Sequence, residues 1–371
     1  MRSLLSRGRF LVKLSLAKTL EQTADNANCT PAILYANQQT FERDALGTGW
    51  YLVFPAISPC PDQGSQVQLV VAVTSDPSHP EHRRAIRETF AAKSHLASYN
   101  AVLLFFLGSN PGRSDLMRAV EREASEHEDI VQESFYDVPE NLALKTVAIL
   151  KFVALHCPKS EFVLKSTDDT FINIHTLLHA LQHTRLLHTT FVLGHVMRSL
   201  TPIRDNSLSW WVRELFYPHW RVPDFVEGHA YSLTSSAAAH IYKTSLRQPI
   251  LVHEDVYVTG FCAAKAHVTV MHHAGFTNDE ICSDSACGLS HRFSCRSDSP
   301  SHMTETYEEM EREAGALCFP PPSGLFLVVC GLVLLTLAFV VCKEAQTRCR
   351  GRSTVCGESD LLSAQFDKRL V

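Results

Sequence analysis

The chain has 371 residues, 45% of them hydrophobic and 20% charged, with Lys and Arg totalling 34 against 39 Asp and Glu and a formal net charge of -5. That balance excludes a disordered chain, which pairs low hydrophobicity with high net charge, and argues against a nucleic-acid partner, which calls for a basic face. A folded, mildly acidic protein with a sizeable core is what these values allow.

The first residues, MRSLLSRGRFLVKLSLAKTL, are interrupted by Arg7, Arg9, Lys13 and Lys18. They read as a basic amphipathic helix rather than a signal peptide, which needs a continuous apolar stretch of about 7–15 residues. Residues 1–64 are expected to form a stem-like segment carrying one glycosylation sequon, Asn28-Cys29-Thr30.

From Ser65 to His273 short apolar runs alternate with amphipathic stretches. Val67–Ser75, Ala101–Gly108, Glu161–Asp169, Thr190–Met197 and Val268–His273 read as strands. His82–Lys93, Ser114–His127, Asn141–His156, Leu177–His183 and Ser235–Leu246 read as helices, the third capped by Asn141. Such alternation predicts an α/β domain with a mostly parallel sheet covered on both faces, placed at residues 65–300. No repeat is present, and neither a G-x4-G-K-S/T loop nor G-x-G-x-x-G nor G-x-S-x-G occurs.

Past the domain, residues 301–323 are expected to form an acidic juxtamembrane linker. Gly324 to Cys342, GLFLVVCGLVLLTLAFVVC, is the densest apolar run of the chain, and its length suits a transmembrane helix. Lys343, Arg348, Arg350 and Arg352 follow it, whereas glutamates from Glu305 to Glu313 precede it, so residues 343–371 are expected as a basic cytosolic tail. Of the 12 cysteines, Cys282, Cys287, Cys295 and Cys318 cluster before this run. Their polar, Ser-rich setting suits disulfides in an oxidising compartment, and a zinc site with His291 is the alternative drawing.

Thr167-Asp168-Asp169-Thr170 ends a strand in acid, where open α/β sheets bind ligands. Two hard carboxylates there suit either a divalent cation clamping a diphosphate or a solvated turn. In His253-Glu254-Asp255, at the head of an apolar helix, a carboxylate serves either as helix cap or as general base. His272 and His273 close the last strand and are candidates to complete a metal shell. Arg84 and Arg87, three apart on one helix, are placed to face one crevice and offset a nucleotide's charge.

In this order, HRRAIRETF, FFLG, EDIVQESFYDVPENLALKT, KSTDDTFIN, VEGHAYSLT and EDVYVTG resemble the β-1,3-galactosyltransferase family, which includes β-1,3-N-acetylglucosaminyltransferases. The resemblance implies a GT-A, Rossmann-like nucleotide-sugar-binding domain, here with one C-terminal transmembrane helix. It implies an inverting enzyme that uses UDP-Gal or UDP-GlcNAc, a divalent cation such as Mn²⁺, and a glycan acceptor on glycoprotein or glycolipid. Residue by residue, Asp169 and Asp168 would hold metal and nucleotide, and His272 or His273 would join the metal. Arg84 and Arg87 would lie near the donor, Asp255 would be the base, and Glu254 would position base or acceptor. Thr167 stands in place of an acid, Phe90 of a Trp, Val226 of a Cys and Ala230 of a glycine of the family pattern, and the role of Lys145 is left open. A Golgi membrane location with a luminal catalytic domain follows from the same resemblance. The alternative is a membrane-anchored glycan- or nucleotide-binding protein that keeps this fold without activity.

Overall fold

The computed structural model describes residues 51–205, 207, 214, 219–277, 281, 282, 289 and 291–312, with 336, 339, 340 and 343 beyond them. The chain divides into two compact units, residues 1–315 and 316–371.

The first unit is built on an eight-stranded sheet in the order β1-β4-β3-β2-β5-β8-β7-β9. Its strands are β1 (Tyr51–Val53), β2 (Leu69–Thr74), β3 (Ala101–Ser109), β4 (Ile130–Tyr136), β5 (Phe162–Thr167), β7 (Phe191–Met197), β8 (Phe225–Thr234) and β9 (Thr269–His272). The block β4-β3-β2-β5 is parallel, β8 runs antiparallel to both β5 and β7, and β9 is parallel to β7. A small second sheet pairs β6 (Thr170–Ile172) with β10 (Ser294–Arg296).

All six residues of β2 are buried, as a strand covered on both faces requires. The period of two divides them: Val70 and Ala72 join one core with α4 (Leu142–His156), α6 (Ser235–Ser245) and a π-helix, Val256–Cys262. That π-helix continues into a single α-turn, α7 (Ala263–Lys265). Leu69, Val71 and Val73 join the other core, with α1 (Pro80–Glu88), α2 (Lys93–Ser98), α3 (Ser114–His127), α5 (Ile174–Leu187) and α8 (Pro300–Arg312).

The expected α/β alternation is present, with differences that have local causes. The first helix begins at Pro80, whose fixed φ and missing N–H suit a first helical turn. Asn141 precedes α4 but does not cap it, because its side-chain amide donates to the Tyr136 carbonyl at 2.9 Å. Helix α5 starts three residues early because the Asn173 side chain accepts from Thr176 N–H. Strands β4 and β8 were not expected. The stretch expected as a linker from residue 301 opens with α8, whose Met303 is fully buried in the core.

Cys282 and Cys295 form a disulfide, which replaces the zinc alternative, and a second disulfide joins Cys60 to Cys157 across 97 residues. Loop closure of that length removes about 4.7 kcal/mol of unfolded-state entropy in the chain-entropy account. Cys287, Cys318, the sequon at Asn28 and most of the span 324–342 lie outside the described residues. Within that span Thr336, Phe339 and Val340 are helical. Among the described residues no helix is long and apolar enough to cross a membrane.

Candidate active site

The site lies where β2 and β5 end side by side, with Thr74 paired to Thr167. Chain order proceeds outward from β2 through β3 to β4 on one side and to β5 on the other, so this edge is a topological switch point.

Beyond β2, the loop Ser75-Asp76 is clamped from both helical layers. Lys145, from α4, donates to the Ser75 carbonyl at 2.8 Å and to Asp137 Oδ1 at 2.6 Å. From α1, Arg83 donates to Ser75 Oγ at 2.9 Å and to the Asp76 carbonyl at 2.6 Å. Its guanidinium is fully buried and is offset by Glu123 of α3, at 2.7 Å and 2.8 Å. A buried cation survives only when paired and hydrogen-bonded in this way. Burial nonetheless pushes the Asp137 carboxyl above its ordinary value in spite of Lys145.

Asp168, buried at the end of β5, accepts at Oδ2 from Ser75 Oγ (2.7 Å) and meets His79 Nδ1 at 3.1 Å. Burial pushes this carboxyl up, but the His79 and Ser75 hydrogen bonds outweigh it and hold Asp168 below the usual carboxylate range. Asp169 points differently and is about one-third exposed. Its Oδ1 accepts from the Thr167 hydroxyl, and its Oδ2 lies 3.4 Å from Arg296 Nε of β10.

Across the next strand stands the second acidic cluster. Glu254 is buried, accepts from Tyr231 Oη at 2.9 Å and pairs with Lys165 Nζ at 3.1 Å. Lys165 also donates to the Gly228 carbonyl. A Cβ on Gly228 would stand 3.2 Å from Glu254 Oε2 and 3.4 Å from Asp255 Cβ, so β8 approaches the cluster this closely because the residue is glycine. Ser166 pairs with Ala230, and the antiparallel register carried two residues further sets Gly228 level with Asp168. Asp255, at the head of the π-helix, abuts Gly228 from the helical layer, so it stands over the strand next to β5.

Asp255 accepts from Val256 N–H at 2.8 Å, so the capping reading holds for one of its oxygens. Burial and the neighbouring Glu254 charge push its carboxyl up from 3.8 to about 6. Beside Gly228 on β8, His229 Nδ1 and Glu227 Oε1 are in close hydrogen-bond contact.

Arg84 and Arg87 do not share a crevice. Arg84 is exposed and paired with Glu81 one turn away, while Arg87 is held by Asp129 at 2.7 Å and Glu123 at 2.9 Å and packs over Phe105. The arginine that reaches the site is Arg83, on the same face as Arg87 at a spacing of four. Arginine next to arginine in sequence leaves the helix phase open, and only the position of Glu123 settles it. Lys145 likewise carried no local signal, being a lysine within an apolar helix.

His272 ends β9 and His273 follows it, and β9 is three strands from β5, about 14 Å by strand spacing. His272 Nδ1 accepts from Val196 N–H at 3.2 Å, and His273 Nδ1 accepts from Gly275 N–H at 3.0 Å while its ring stacks on Phe293. Each of these contacts engages the Nδ1 of its imidazole. Among the described residues no three His, Cys, Asp or Glu side chains converge. Each β5 carboxylate already has a cationic or hydroxyl partner. The expected set of Asp168, Asp169 and a histidine therefore does not fit a divalent cation as these residues are arranged.

The profile of the Galactosyltransferase family matches residues 81–274, from the start of α1 through β9. Beta-1,3-galactosyltransferase 2 of Mus musculus is 30% identical over 67% of this chain, which spans 60% of that protein's length. Beta-1,3-galactosyltransferase 1 of Mus musculus is 30% identical over 67% of this chain and 76% of its own, and beta-1,3-galactosyltransferase 2 of Homo sapiens is 28% identical over 84% and 77%. A solved glycosyltransferase involved in glycosylation of the major capsid of PBCV-1 covers 64% of this chain and 98% of its own, with a TM-score of 0.34 and 11% identity. With the family profile matching more than half of the chain, including Asp168, Asp169, Glu254 and Asp255, the protein belongs to the galactosyltransferase family.

Proposed function

We propose that the chain is an inverting β-1,3-glycosyltransferase that moves galactose or N-acetylglucosamine from a UDP-sugar to a hydroxyl of a glycan on glycoprotein or glycolipid. The observation that carries this reading is Asp255, a carboxylate raised to about 6 at the ligand-binding edge of an α/β sheet. A base with a pKa near the working pH is both ionised and strong enough to take a hydroxyl proton.

In the step proposed, Asp255 receives the acceptor's proton while the acceptor oxygen bonds to C1 of the donor sugar. The C1–O bond to the diphosphate breaks, and its electron pair leaves with UDP. Glu254 touches no reacting atom in this scheme. Held by Lys165 and Tyr231, it fixes the start of the π-helix and presents a negative neighbour that keeps Asp255 basic. Ser75 and Asp76, clamped by Arg83 and Lys145, form the rigid floor on which the nucleotide would lie, and Asp168 ties that floor to β5 through Ser75. The proposed location is the Golgi membrane, and the order of charged and apolar runs at the C-terminus supports a single-pass orientation with the catalytic unit on the luminal side.

The test is a donor and acceptor screen on the purified full chain in detergent, following UDP release. UDP-Gal or UDP-GlcNAc should be consumed in the presence of a glycan acceptor, and Asp255→Asn should lose turnover while still binding UDP. Absence of both release and UDP binding would sink the assignment.

A further inference from the structure

Resting on the membrane-anchoring reading above, we infer that the end of the sheet opposite the acids is a lipid-contact surface, on which Leu186, Leu187, Leu155 and Ile57 enter the headgroup region of a bilayer. All four are exposed, Leu186 at 82% and Leu187 at 75%. One such side chain alone is ordinary, whereas several on one end of a folded unit mark a surface that meets something apolar.

Their common position follows from the strands. Leu186 and Leu187 close α5, and Arg185 before them lies over the ring of Phe162, the first residue of β5, at 5.7 Å from its centroid. Leu155 stands in the last turn of α4, and the chain passes from there through Lys159 and Glu161 into the same start of β5. Cys157, just past α4, is bonded to Cys60, which ties the segment carrying Ile57 to this end. Asp168 follows the other end of β5, about 20 Å away by strand rise.

What covers this end is indicated by where the chain goes. Helix α8 begins beside the acids, with Ser297 N–H donating to the Asp169 carbonyl at 2.7 Å. It then runs away from them: the Tyr307 hydroxyl meets His95 Nε2 of α2 at 3.2 Å, and α2 lies just ahead of the start of β3. The chain is thus led toward the end that exposes these apolar side chains, and the apolar run from Gly324 follows in sequence. Lys159 and Arg185, both exposed, supply positive charge for lipid phosphates, with the exposed Glu161 beside Lys159 in sequence. Apolar side chains at such a boundary enter it by about 5–10 Å. With this end on the membrane, the acids face away from lipid, toward acceptor groups that stand off its surface.

Trp220, also 75% exposed, marks the opposite end. It lies on the segment that leaves β7 beyond the Met197–Phe225 pair, where Val222 N–H donates to the Leu200 carbonyl at 2.9 Å. The two ends cannot both rest on one bilayer.

The experiment reconstitutes the full chain into phosphatidylcholine vesicles, once with ordinary and once with brominated acyl chains, and reads tryptophan emission for the wild type, Leu187→Trp, Leu155→Trp and Trp220→Phe. Each added indole, taken as the difference from wild type, should emit to the blue of a water-exposed indole and lose intensity in the brominated vesicles. The emission removed by Trp220→Phe should be that of a water-exposed indole, equal in both vesicles. An added indole that stays water-like and unquenched overturns the inference, and so does bromine quenching of the Trp220 emission. Flotation of the same samples on a sucrose gradient separates the two readings: a wild-type chain that does not float with the vesicles refutes the anchoring itself. Both introduced tryptophans replace exposed side chains, so the variants keep the core intact.

Discussion

Replacing Asp255 by Asn should stabilise the protein while removing its activity, and the size of the effect follows from where the carboxylate sits. Burial and the charge of Glu254 raise its folded-state pKa from 3.8 to about 6. The native state thus binds this proton more tightly than the unfolded chain, and the ionised form is a native-state liability. That cost is absent below about pH 4, grows as pH rises toward 6, and is complete above it. The interval from 3.8 to about 6, at about 1.4 kcal/mol per pH unit, corresponds to about 3 kcal/mol. Asparagine keeps an acceptor for Val256 N–H and carries no charge, so it retains the cap and removes the liability. Urea unfolding of wild type and Asp255→Asn at a series of pH values from 4 to 7.5 should show coincident midpoints at the acid end and a gap that opens toward neutrality. A gap that is constant with pH, or a variant less stable at pH 7.5, would refute the reasoning. The same residue should set the acid limb of turnover, with an inflection near pH 6.

Glu254→Gln should cost about 3–5 kcal/mol in urea unfolding, because it strands the Lys165 ammonium in the interior. The double variant Lys165→Met with Glu254→Leu should recover most of that loss, and a single variant within about 1 kcal/mol of wild type would show the pair to be energetically idle. Gly194→Ala places a Cβ into Val226 Cγ1 and 3.1 Å from Tyr231 Cβ, at the centre of the β7–β8 pairing. Thermal unfolding should register a loss of about 1–3 kcal/mol from overpacking.

The legible part of the fold is the part whose residues need satisfy only burial. β2 and β3 sit inside the sheet, so their sequences are nearly unbroken apolar runs, and β5 opens on one, Phe162-Val163-Leu164. β8 escaped notice although it is the longest strand of the sheet, because Glu227, Gly228 and His229 interrupt its pattern where it borders the site. β4 was hidden for a similar reason: Gln132 is buried in it and spends its amide on the Gly108 carbonyl at 2.8 Å. Polar residues in these strands answer to specific partners far away in sequence, and no local period announces them.

Among site residues, Asp168, Asp169 and Asp255 were legible because carboxylates at the end of an apolar run are conspicuous on chemical grounds alone. What each carboxylate does was not, because that depends on its neighbours. Asp168 is a buried tie to Ser75 and His79, Asp169 faces Arg296 of β10, far away in sequence, and Asp255 is made basic by burial and by Glu254.

The amino-acid order by itself determined the alternation of strand and helix, the acids at the sheet edge and the apolar run near the C-terminus, since each depends only on neighbours within a few residues. Tertiary structure decided which arginine reaches the nucleotide loop, which histidine nitrogens are already engaged, and which cation faces Asp169. Most of those outcomes rest on contacts between residues far apart in the chain, such as Arg83 with Glu123, Val196 with His272 and Asp169 with Arg296. Charge and hydrogen-bond complementarity act through space, at distances of a few ångströms that sequence spacing does not encode.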